Sequence, residues 1–238
     1  MARVIIVRLI PIALLGLCWE GFAQSGAVTP FMLPPLSAVL ERIWADASAG
    51  DLALNTGLTL YRALTGFLIA AGAGVGLGCA MSRSAPARWF FDPIISVGFP
   101  MPKIAFLPIV ILWLGFFDTT KIAMVVFDAI FPVVTATLAG LQGVERELMW
   151  QVMLPAALPQ ILTGLQVALP LSLIVAVVAE MAMGGYGLGG AMMTASRFAD
   201  SRGVFAGIVE IGAVGFCLVK AMAMLRRRLL VWHQETDQ

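Results

Sequence analysis

The chain has 238 residues, 60% of them hydrophobic and 12% charged, with a net charge of +1 and a mean hydropathy of +0.94. An ordinary soluble domain carries about 25% charged residues and needs polar side chains over most of its surface, so this composition excludes a water-soluble globule and makes the bilayer the solvent. The near-zero charge gives no basis for nucleic-acid binding, and Cys18, Cys79 and Cys217, all in apolar runs, with the single His233 in the C-terminal tail, leave neither a disulfide framework nor a metal site; buried free thiols are expected.

A helix crosses roughly 30 Å of hydrocarbon with about 20 mostly apolar residues. In chain order the first candidate is Val4–Trp19, which reads as a retained helix, with a cleaved signal ending near Ala23-Gln24-Ser25 as the alternative. The following segment, Glu20 to Thr56, lies outside the membrane. Pro34-Pro35 starts a helix there whose Val39, Leu40, Ile43, Trp44 and Ala47 share a face, an amphipathic element lying on the membrane or the protein. Leu58–Met81 is the second span. Its run Gly72, Gly74, Gly76, Gly78 does not match a dinucleotide loop, and small residues spaced by four predict helix-packing faces.

Lys103–Phe117 is a short third span, Lys121–Leu138 a fourth, Ile161–Met183 a fifth and Val204–Leu225 a sixth. Asp128 falls midway along the fourth, Glu180 near the outer end of the fifth and Glu210 in the outer half of the sixth. Ionisable groups at such depths line a pathway or form an internal pair, and for Asp128 and Glu180 both readings stand beside plain snorkelling. Pro100, Pro102, Pro108, Pro132, Pro155, Pro159 and Pro170 predict kinks or breaks from the third span into the fifth. Arg3, Arg8, Arg83, Arg88, Arg146 and Arg226 to Arg228, with Lys103 near the inner face, place both termini in the cytoplasm, and the six tryptophans fall at the borders of the spans. The expected fold is an all-α membrane protein of about six transmembrane helices. It divides into residues 1–57 (first helix and amphipathic segment), 58–225 (core) and 226–238 (basic cytoplasmic tail). No phosphate-binding loop, nucleophile elbow or zinc-protease motif is present, so enzymatic chemistry and a cofactor have no visible seat.

Between the fourth and fifth spans the chain reads Gly140-Leu141-Gln142-Gly143-Val144-Glu145-Arg146-Glu147-Leu148-Met149-Trp150, then Val152-Met153-Leu154-Pro155-Ala156-Ala157-Leu158-Pro159-Gln160-Ile161-Leu162-Thr163-Gly164-Leu165. This resembles the signature loop of the permease subunit of binding-protein-dependent ABC importers, and of their nitrate, sulfonate and taurine subfamily most. The likeness extends to Leu33-Pro34-Pro35 with Ser37, Pro100 and Pro102 before Leu107-Pro108, Phe131-Pro132, Ala179-Glu180, Gly187-Leu188-Gly189 and Phe205-Ala206-Gly207-Ile208.

The resemblance implies a type I importer-like bundle, a second copy of the chain, separate ABC ATPase subunits that hydrolyse ATP, an extracytoplasmic solute-binding protein and a lipid environment. It also implies that the loop is a coupling helix seated in the ATPase, with Glu145, Glu147, Leu148, Met149 and Trp150 as contacts. The loop departs from the family pattern by about a dozen missing residues, a change loops tolerate better than spans. Three functions follow: the importer permease, a self-contained channel or secondary transporter using Asp128 and Glu180, or a membrane scaffold retaining the fold without coupling. An anion in the path is repelled by Asp128 and Glu180 unless they are neutral, paired or off the path.

Overall fold

The computed structural model of the protein describes residues 2–141 and 154–230. Helix α1 (Ala2–Gln24) leads through a turn to the amphipathic α2 (Leu36–Ala49), and Gly50, in the left-handed region at φ 87°, swings the chain into the 33-residue α3 (Asp51–Arg83). Helix α4 (Ala85–Gly98), a 3-10 turn (Lys103–Phe106) and α5 (Leu107–Leu114) follow, then α6 (Asp118–Leu141), α7 (Leu154–Met183), α8 (Leu188–Arg197) and α9 (Ser201–Leu229).

Helices α3 and α6 pack along two stripes of spacing four: Gly66, Ala70, Gly74 and Gly78 on one, Val125, Ala129, Val133 and Thr137 on the other. A Cβ on Gly66, Gly74 or Gly78 would lie 2.5, 2.8 or 2.7 Å from Val125, Val133 or Thr137. The backbones touch because these positions have no side chain. Of the four glycines singled out in the sequence, Gly74 and Gly78 pack in this way, whereas Gly72 and Gly76 meet nothing within 4 Å. A helix has one face toward α6, and residues two positions away point elsewhere.

Because residue numbers rise together along this contact, α3 and α6 run in the same direction. The α6–α7 contact runs the other way, with Gly140 against Ala157 and Gln160, and Gly164 against Ala136 and Pro132. A parallel α3 and α6 require the chain between them to return across the full thickness. Helix α4 and the 3-10 turn with α5 are therefore one crossing, broken by a bend of 97°.

This corrects the expected third span. Lys103–Phe117 is only its second half, and Ala85–Gly98, read as cytoplasmic, is its first. Hydropathy missed the first half because Arg88, Asp92 and Pro93 dilute it, and a helix of 14 residues is about 21 Å long, too short to span alone. Helices α3, α6, α7 and α9 are each long and apolar enough to cross a membrane, the bent pair is a fifth crossing, and α1 contributes a shorter apolar stretch, Ile10–Gln24.

Trp19 and Glu20 at the end of α1 tie it to the start of α2. The Trp19 indole donates to Pro34 O at 3.0 Å, and Glu20 accepts from Ser37 N at 3.1 Å and Ser37 Oγ at 2.8 Å. Trp19 also packs at a tilt against Phe205 of α9, ring centres 5.7 Å apart. The shared amphipathic face of α2 is split: Val39 is buried, whereas Leu40 and Trp44 are exposed. Cys79 is half-buried, but Cys18 and Cys217 lie on the outside of the bundle. Burial fails for these two because a bundle in lipid has no need to hide apolar side chains from its surroundings.

Asp200 caps α9, accepting from Gly203 N at 3.0 Å, and pairs with Arg42 of α2 at 2.5 Å. Burial alone would raise its carboxyl, but the Gly203 amide and Arg42 outweigh that and hold it below the usual range. A depressed folded pKa contributes stability that is present above the unfolded value, about 3.9, and is lost as pH falls through the folded one. Thermal midpoints measured from pH 6 down to 3 are expected to fall less steeply in Asp200→Asn; an unchanged slope would remove this tie from the acid response.

Candidate functional site

Among the described residues two charged clusters lie within the bundle, at different depths. The first surrounds Glu180, which is completely buried near the end of α7. Arg62 of α3, 4% exposed, donates to Glu180 Oε1 at 2.6 Å and to Tyr186 O at 2.7 Å, and pairs with Asp118 at the start of α6 at 2.8 Å. Thr59, one turn earlier on α3, holds both Glu180 oxygens at 3.0 and 2.8 Å and accepts from Leu188 N at 2.9 Å.

Gly189 N donates to Glu180 Oε2 at 3.1 Å, Gly187 N to Asn55 at 2.9 Å, and Lys121 Nζ to Gly184 O at 3.2 Å. The first amides of α8 thus face side chains of α3 and α7, and the helix needs no cap of its own. Gly187 is left-handed at φ 128°, and a Cβ there would run into the Glu180 carboxylate. Arg62 and Lys121 balance Asp118 and Glu180, so the cluster carries no net charge, as burial demands.

The second cluster lies where the broken span bends. Lys103 is 3.4 Å from Asp128, which stands near the middle of α6, and the two side chains are 9% and 14% exposed. The ammonium also donates to Phe99 O at 2.7 Å and lies 4.7 Å from the centre of the Phe131 ring. Pro100 and Pro102 have no N–H to offer the end of α4, and a lysine there meets both its free carbonyls and its negative dipole end. A Cβ on Gly98 would meet the Phe131 ring, so α4 ends against the same aromatic. Lys103 was expected near the inner face; the break carries it to mid-depth, where Asp128 is its counter-ion.

The structure does not bring Asp128 and Glu180 together: they belong to separate clusters. Glu145, Glu147, Leu148, Met149 and Trp150 lie outside the described residues. Glu210 lies between α2, α3 and α9, with Oε1 buried and without a hydrogen-bond partner among the described residues. Sequence reasoning missed Arg62 and Thr59 as partners of Glu180, and Asn55 and Lys121, which hold the neighbouring Gly187 and Gly184 backbone. One signal for Arg62 was available: it lies one step of four before Gly66 on the α6-facing stripe. No group of three His, Cys, Asp or Glu side chains that could hold a metal occurs among the described residues.

A polytopic helical bundle with a discontinuous span, and charge at the break, has the architecture of a solute transporter. The chain belongs to the family of binding-protein-dependent transport system inner membrane components, whose model matches residues 72–231. Among its relatives, the taurine transport system permease protein TauC of Escherichia coli is 31% identical, over 100% of this chain and 93% of its own. The putative aliphatic sulfonates transport permease protein SsuC of Bacillus subtilis is 31% identical over 96% and 88%. The riboflavin transport system permease protein RibX of Chloroflexus aurantiacus is 27% identical over 94% and 88%. This chain is therefore a permease subunit of an ABC importer and not an enzyme.

Proposed function

We propose that the chain is the permease for taurine or a related small organic sulfonate. It works as a homodimer that opens alternately to either side, with both termini in the cytoplasm. Separate ATPase subunits supply the energy, and an extracytoplasmic binding protein delivers the solute. The observation that supports an anionic substrate is that both carboxylates suspected of repelling it are paired, Asp128 with Lys103 and Glu180 with Arg62. Neither presents an uncompensated negative charge to the path. The full-length likeness to taurine and sulfonate permeases points to the same solutes.

ATP closure of the ATPases moves the bundle through the loop carrying Glu145, Glu147, Leu148, Met149 and Trp150, since nucleotide biases access only by favouring one permease conformation. The run Arg226 to Arg228 at the end of α9 supports a cytoplasmic C-terminus.

The test is reconstitution in proteoliposomes with the accompanying ATPase and binding protein, following radiolabelled taurine, with Met149→Cys as a crosslinking site for the ATPase. Uptake that requires ATP and both partners, and a crosslink, are expected. Uptake that persists without the ATPase and collapses when the proton gradient is dissipated would replace this reading with secondary transport.

A further inference from the structure

Lys103 and Asp128 are more than a structural pair. We infer that they are the mid-depth substrate contact and select a zwitterion, Lys103 receiving the anionic sulfonate and Asp128 the primary ammonium at the other end of the molecule. The inference rests on the sulfonate reading above.

Three observations carry it. The pair sits at the break of a discontinuous span, level with the middle of α6, where transporters place binding groups because unwound backbone and helix ends supply polar partners. It is also the longest of the ion pairs among the described residues, 3.4 Å against 2.5 to 2.9 Å for the others, so Asp128 holds Lys103 by charge without a short hydrogen bond between them. Finally, a crevice runs along α4 and the later turns of α6 and ends beside the break at Phe99 and Pro100. Asp92, Ser96 and Thr135 line it together with the apolar Ile95 and Leu138, and Phe99 and Met101 at the bend are exposed. Polar side chains on such a face are costly against lipid, so this side of the broken span borders water or a second permease copy.

Charge balance then decides the ligand class. Lys103 and Asp128 together are neutral. A simple alkanesulfonate drawn to Lys103 leaves the site at one net negative charge in a poorly solvated place. A molecule with a sulfonate at one end and an ammonium two carbons away replaces the internal ion pair by two external ones and keeps the site neutral. Asp128 holds the ammonium of Lys103 in position while the path is empty and exchanges it for that of the solute. Phe131 and Phe99 O keep hold of Lys103 throughout.

The experiment compares uptake of radiolabelled taurine and of its isostere propane-1-sulfonate by the full reconstituted importer. Wild type, Asp128→Asn, Lys103→Gln and the double variant are each measured, with thermal stability and binding-protein-stimulated ATP hydrolysis as controls. Asp128→Asn is expected to lower taurine uptake about 10- to 100-fold, the scale of one charged hydrogen bond, while sparing or raising that of propane-1-sulfonate. Lys103→Gln loses both. The double variant, which leaves no lone buried charge and so keeps the fold, also loses both, with ATP hydrolysis retained. If the double variant or Asp128→Asn keeps the wild-type ratio of the two solutes, the pair is structural and the inference is overturned while the sulfonate reading stands. Wild-type importer that takes up neither solute overturns that reading and this site with it.

Discussion

Glu180→Ala is expected to destabilise the protein by about 3 to 5 kcal/mol, the cost of breaking a buried ion pair from one side. Arg62 keeps Asp118, but the cluster then holds two cations against one anion, and the Gly189 amide loses its acceptor. Thr59, which holds both Glu180 oxygens, is left with the Leu188 amide alone. The variant therefore loosens α3, α7 and the start of α8 at once, and with them the loop of residues 184–187. Removing both charges in Arg62→Met/Glu180→Met is expected to cost less than the two single losses added, because no lone charge remains. Denaturant unfolding in detergent would measure the cycle. A Glu180→Ala loss under about 1 kcal/mol would place this pair with exposed ones that contribute little.

Gly74→Leu is the second large effect. The first added carbon would stand 2.8 Å from Val133 and 3.2 Å from the Ile130 carbonyl, so α3 and α6 must separate. Overpacking of this kind costs about 1 to 3 kcal/mol, and the parallel arrangement of α3 and α6 depends on this contact. Gly76→Leu is the matched control: nothing lies within 4 Å, and a change under about 0.5 kcal/mol is expected in the isolated chain. Equal losses in the two variants would contradict the packing stripe. A Gly76→Leu protein that is stable yet inactive in uptake would assign the Gly72 and Gly76 face to the second copy.

The long spans were legible because a run of apolar residues long enough to cross lipid has few other uses; α3, α6, α7 and α9 each contain the predicted segment. The broken span was not. Its two halves are each too short, and what reveals them as one crossing is the parallel contact of α3 with α6, between residues 59 positions apart such as Gly66 and Val125. The Glu180 cluster was half visible. A carboxylate in an apolar run announced itself, but its partners Arg62 and Thr59 lie more than a hundred residues away. The glycine run illustrates the same limit, since spacing identified two possible faces and only the neighbour α6 chose Gly74 and Gly78.

By itself the sequence determined the solvent, the class and the family likeness, because hydropathy and local motifs are summed over neighbours along the chain. The tertiary structure alone decided that the third crossing is bent at mid-depth, that α3 and α6 run parallel, and that Asp128 and Glu180 are neutralised by different cations in different places. Pairing energies act through space between helices, and no pattern within a single helix records which partner its charge will meet.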